Sequence, residues 1–197
     1  MSRDRLEAFS DAVLAVVITI MVLNLRPPSG HAFTDLRPLL PKLAVYFLSF
    51  VFVAIYWNNH HHLFQVVERI SGAVLWANAG VLFWLSLTPA AAAWLGPHLG
   101  DTAPTAVYGI VLLGSAIAYG ILVRTLLAAQ PAGSPLERAV GNDRKGNLSI
   151  IAYIVAIALS PVVPWLSLAI YFAVAAVWLI PDRRIERVLP PSIPEQE

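Results

Sequence analysis

Two short clusters hold the side chains able to do chemistry. The first is Arg5 with Phe9-Ser10-Asp11, which runs directly into an apolar stretch from Ala12 to Leu25. The second is Tyr56-Trp57-Asn58-Asn59-His60-His61-His62-Leu63-Phe64. Carboxylate, hydroxyl, amide and imidazole groups can relay protons or cations, ligate a metal, or hydrogen-bond into a scaffold. Metal ligation fits poorly. Adjacent helical residues point about 100° apart, whereas a helical zinc pair uses positions i and i+4. Glu68 is within reach of the three histidines, but no other ligand nearby completes a tetrahedral set. The chain has no cysteine, which excludes disulfides, thiolate catalysis and Cys-ligated zinc. Neither an enzyme nor a bound cofactor is expected.

The elements that must position these groups are read from hydropathy. Of the 197 residues, 58% are hydrophobic and only 13% charged. The mean hydropathy is +0.69, and a soluble domain averages about 25% charged residues. The expected class is all-α and polytopic in a membrane, with the lipid bilayer as its first partner. The net charge of +1 gives no sign of a nucleic-acid partner.

A bilayer core of about 30 Å needs roughly 20 helical residues. Six segments are predicted: about Leu6 to Leu25, Leu39 to Asn59 or a little beyond, Ile70 to Trp94, Pro104 to Ala128, Asn147 to Val163, and Pro164 to Ile180. Pro27-Pro28 stops the first, and Pro89 is expected to kink the third. Asp4, Glu7 and Asp11 put acid where a signal peptide needs a basic region, so the first span is expected to stay in the mature chain. The 182–197 tail is charged, Pro-rich and expected in the cytoplasm.

With the N-terminus inside, Arg3, Arg5, Arg69, Arg124, Arg138, Arg144, Lys145, Arg183, Arg184 and Arg187 all fall inside. Only Arg26, Arg37 and Lys42 fall outside. That asymmetry predicts both termini in the cytoplasm and a multi-pass protein of the cell membrane.

On a helical wheel with Val16 at zero, Ala12, Thr19 and Leu23 lie within about 60°, and Ile20 within about 40°. Ser10 and Asp11 lie roughly 120° to 140° away. One face is apolar apart from a single hydroxyl, and suits lipid contact or helix packing. The other carries acceptors that bare lipid cannot satisfy. They can form a helix cap with an interfacial carboxylate. They can instead join a buried network of Arg5, Ser10, Asp11, Trp57, a histidine (His61 in the central position) and Asn78.

Arg5 followed by Phe9-Ser10-Asp11 resembles the signature of the transmembrane protein 175 family of potassium channels. The aromatic and histidine end of the second helix, Asn78 and Pro89 are similar to that family too. The resemblance implies a homotetramer of six-helix subunits, with residues 1–181 as the channel domain and the first helix lining a central pore. By position it implies that Val16, Thr19 and Leu23 face that pore. The expected activity is potassium permeation, modestly selective over sodium, through a hydrophobic constriction. Arg5, Phe9, Ser10, Asp11, Trp57, His61 and Asn78 would be scaffold. A cation- or proton-coupled secondary transporter using Asp11 and His60 to His62 is the alternative; no inverted repeat supports it.

Overall fold

A computed structural model describes residues 2–179 except 68, 132, 135 and 138–142. The 182–197 tail, with Glu68 and Arg138, lies outside the described residues.

Helix α1 (Arg3–Leu23) ends where Asn24 bonds back to the Ile20 carbonyl, before Pro27 and Pro28 remove two backbone donors. A 3-10 turn (Phe33–Leu39) follows, tied by the Asp35 carboxylate, which accepts from the Ala32 N–H at 2.9 Å. Helix α2 (Leu40–Gln65) has 26 residues and is about 39 Å long at 1.5 Å per residue. It runs past Asn59, so all three histidines are helical.

Helix α3 (Gly72–Ser86) begins where the Ser71 hydroxyl accepts from the Val74 N–H. The third predicted span is broken rather than bent. Pro89 sits in the first turn of α4 (Thr88–Leu95), where its missing N–H costs nothing, and the chain tightens at Leu87, which bonds to the Trp84 carbonyl. Helix α5 (Thr102–Ala129) is long and apolar. Helix α6 (Arg144–Leu159) is capped by Asp143, which accepts from the Gly146 N–H at 2.8 Å. A turn over residues 160–163 leads to α7 (Pro164–Leu179). Among the described residues there is no strand.

Among the described residues, four helical stretches are long and apolar enough to cross a membrane: Arg3–Leu23, Phe33–Gln65, Gly72–His98 and Thr102–Ala129. The shorter α6 and α7 have 16 described residues each, about 24 Å.

Helix α1 packs on α2, α3 and α4, while α5 is the central post between α3, α4 and α6. Val53, Phe64, Val74, Leu85, Leu112 and Leu122 fill the core. Several polar groups inside the bundle are paired, as a medium without water favours, while Thr88 Oγ1, Thr105 Oγ1 and Nδ1 of His60 and His62 are buried with no hydrogen-bond partner among the described residues. Ser49 and Tyr108 share a hydrogen bond at 2.9 Å, and the Tyr171 hydroxyl donates to the Thr105 carbonyl at 3.2 Å.

Gly114 lets the Trp84 ring lie flat against α5; a methyl group there would run into the indole. Gly114→Val should therefore cost about 1–3 kcal/mol, the usual range for overpacking. A thermal melt in detergent checks this, and an unchanged midpoint would mean that the α3–α5 contact is looser than described.

Candidate functional site

Helix α1 has two sharply different faces. Leu6, Ser10, Leu14, Val17 and Met21 are buried at spacings of four and three. The opposite stripe, Arg5, Phe9, Ala12, Val16, Thr19 and Leu23, is exposed throughout. Its spacing of 4, 3, 4, 3, 4 is that of a seam which packs against copies of itself or lines an axis. Leu23 is 72% exposed and Val16 56%.

Thr19 lies between them. Its hydroxyl donates to the Ala15 carbonyl at 2.8 Å. With the proton committed to the backbone, the oxygen lone pairs are left to face outward as acceptors.

The buried face is locked by a chain of side chains from three helices. The Ser10 hydroxyl donates to the Leu6 carbonyl at 2.9 Å. Having spent its proton, Ser10 can only accept, so the Asn78 amide nitrogen must face it, at 2.9 Å. That leaves Asn78 Oδ1 facing His60 Nε2 at 2.8 Å. An amide oxygen only accepts, so His60 must carry its proton on Nε2 and donate. Ser10, Asn78 and His60 are all buried, and His60 lies stacked on Phe64 with centroids 4.3 Å apart.

Beside this core run two rim contacts. Trp57 Nε1 donates to the Asp11 carboxylate at 3.1 Å. His61 Nδ1 meets Glu7 at 2.6 Å, and its other nitrogen meets the Gln65 amide at 2.9 Å. Glu7 and Asp11 are one turn apart on α1, as are His61 and Trp57 on α2. The pairing 7 with 61 and 11 with 57 is that of two antiparallel helices in register.

The structure therefore brings Ser10 and Asn78 together, and Asp11 and Trp57 together, but it differs from the expected scaffold in three places. Arg5 is exposed and makes none of these bonds; Arg3 instead reaches the α2 end, donating to the Gln65 carbonyl at 3.4 Å. His60, not His61, meets Asn78, because α2 continues as a helix and turns only one of three consecutive rings toward the core. Phe9 is 56% exposed on the outward stripe, away from the polar chain.

The sequence assigns Glu7 no site role and does not single out His60 among the three histidines. The signal for Glu7 was its one-turn spacing from Asp11, matched by Trp57 and His61. Among the described residues no group of three or more His, Asp or Glu is arranged to hold a metal ion.

The family model described as "Endosomal/lysosomal potassium channel TMEM175" matches residues 5–89. That span contains every residue of the polar chain. A potassium channel of a Chryseobacterium species is 49% identical over 189 residues, covering 96% of this chain and 98% of that one. A potassium channel of Streptomyces collinus is 33% identical over 126 residues, covering 60% of this chain and 61% of that one. The crystal structure of a lysosomal potassium-selective channel TMEM175 homolog from Chamaesiphon minutus superposes with a TM-score of 0.79 at 27% identity. It covers 90% of this chain and 96% of that one.

Proposed function

Because this chain belongs to the TMEM175 family of ion channels, we propose that four copies of it form a potassium channel around the outward stripe of α1. The family's members are channels, not enzymes, and the transporter alternative is not favoured by these relatives. The observation that supports the pore reading best is the stripe itself. A long apolar helix buries one face against its own subunit and leaves the opposite one, Val16, Thr19 and Leu23 included, without a partner.

In this reading residues 1–181 form a channel domain of six spans, α3 with α4 counting as one. The distribution of basic residues supports reading both termini as cytoplasmic in a cell-membrane protein. Four Val16 and four Leu23 side chains make two apolar rings that can dewet and close. The Thr19 ring between them offers outward hydroxyl oxygens as acceptors to a passing cation. Potassium gives up hydration water more easily than sodium because it is larger, so an apolar neck followed by hydroxyl acceptors favours it modestly. No Thr-Val-Gly-Tyr-Gly carbonyl filter is present in the sequence. The Ser10–Asn78–His60 chain and the Asp11–Trp57 pair hold α1 at the angle that sets the pore radius.

The test is a potassium-gradient flux assay in proteoliposomes, with sodium as the competing ion. The cysteine-free sequence adds a clean control. Thr19→Cys channels should be blocked by a cationic thiol reagent that leaves wild-type flux intact. Continued flux through the modified variant would remove Thr19 from the conduction path.

A further inference from the structure

Away from α1, the bundle contains a groove of about 370 Å³ between α2, α5, α6 and α7. That is within the size range of sites that hold small ligands, about 300–1,000 Å³. Its walls are apolar and aromatic: Phe52, Tyr56, Tyr119, Val123, Leu127 and Tyr153. Tyr56 and Tyr119 meet edge to face, with centroids 5.6 Å apart. One end is polar, where Arg124, Asp143 and Asn147 line the mouth.

The charges at that mouth are unevenly committed. Asp143 is engaged with the Gly146 N–H at the start of α6. Arg124 is exposed and makes no hydrogen bond or ion pair among the described residues. Lys145 Nζ lies 5.6 Å from the Trp178 ring centroid, and Trp178 lines the same groove. Arg124 is thus the uncommitted cation of the mouth, beside a carboxylate already tied to the start of α6. A greasy slot with a cationic lip, at the basic end of a membrane-embedded bundle, has the shape of an amphiphile with an anionic head.

We propose that the groove between α2, α5, α6 and α7 binds one acyl chain of an anionic glycerophospholipid, with the phosphate against Arg124. The chain lies among the tyrosine rings, and the second chain stays in the surrounding bilayer. Arg124 can hold a phosphate through two N–H groups at once, which a point charge could not. The bound chain fills space between four helices and so stabilises the subunit.

Gly120 gives a direct test. It lines the groove, and a side chain added there meets nothing within 4 Å at its first carbon. Gly120→Leu should therefore fill the slot without disturbing the helices. The full chain, purified in detergent, is incubated with phosphatidylglycerol or phosphatidylcholine and examined by native mass spectrometry and by thermal melting. Wild type should retain phosphatidylglycerol in preference and melt at a higher temperature with it. Gly120→Leu should lose both effects while keeping its lipid-free midpoint. Arg124→Gln, a change at an exposed side chain, should lower the preference about fivefold, the scale of one basic group beside an anionic lipid.

Equal retention of the two lipids by wild type would overturn the proposal. So would undiminished retention by Gly120→Leu, or an Arg124→Gln preference equal to wild type if Gly120→Leu proves unstable. Oxidative dimerisation of an Ile117→Cys variant would put a second copy of the chain over the groove, and would overturn it equally. None of these readouts depends on ion flux, so they stand or fall apart from the channel reading.

Discussion

Leu23→Ala should raise single-channel potassium conductance about tenfold in planar bilayers and reduce the preference for potassium over sodium. The size follows from symmetry. In the proposed tetramer one substitution changes four side chains of the same ring. A saving of only about 0.35 kcal/mol per side chain sums to about 1.4 kcal/mol off the barrier, which is a factor of ten in rate. The direction follows from hydration. A ring of leucines forces the ion to shed water that nothing replaces, and a ring of alanines leaves room for it. Val16→Asn should act in the same sense by a different route, because its amides replace lost water instead of making space for it. Leu23 is the more exposed of the two in the single subunit. Wild-type currents in both variants would take these rings out of the pore.

Asn78→Ala should lower the thermal midpoint by about 4–8 °C while leaving the ion preference of the surviving channels unchanged. Asn78 is the middle link of the buried chain, and removing it strands two groups at once. Ser10 keeps its proton on the Leu6 carbonyl and loses its only donor. His60 keeps a proton on Nε2 with nothing to receive it. A stranded buried polar group costs about 1–3 kcal/mol. Hydrogen bonds between membrane helices average nearer 0.6 kcal/mol, because polar groups find other partners when the helices separate. Here all three residues are buried and lipid offers no substitute, so about 2 kcal/mol is expected, which for a chain of this size is about 4–8 °C. The chain lies on the face of α1 opposite Val16, Thr19 and Leu23, so the pore stripe itself keeps its side chains. A midpoint equal to wild type would mean that apolar packing alone holds α1, and a changed ion preference would couple the anchor to the pore.

The two variants separate what α1 does on its two sides, and the sequence made only one of those sides easy to read. The outward stripe is visible as a wheel pattern, because a helix repeats every 3.6 residues whatever surrounds it. The partners of the inward stripe are not visible in that way. His60, His61 and His62 are chemically identical and point in three directions about 100° apart. Which one meets Asn78 depends on the rotation of α2 about its own axis. That rotation is set by how Phe52, Val53 and Phe64 pack, and by the helix continuing to Gln65. Arg3 and Arg5 pose the same problem on α1. Two residues of helix separate them by about 200°, so one reaches the α2 end and the other faces outward.

From residues alone came the apolar helices, the stop at Pro27-Pro28, the helix start at Pro164, and the basic residues gathered toward one end. Each depends on local hydropathy or on a ring that lacks an N–H, and neither needs a neighbour to act. Tertiary packing decided that Pro89 separates two helices instead of bending one, that His60 donates to Asn78, and that a tyrosine-lined groove opens beside Gly120. Those outcomes turn on distances of an ångström between residues far apart in the chain, and no periodicity along a single helix contains them.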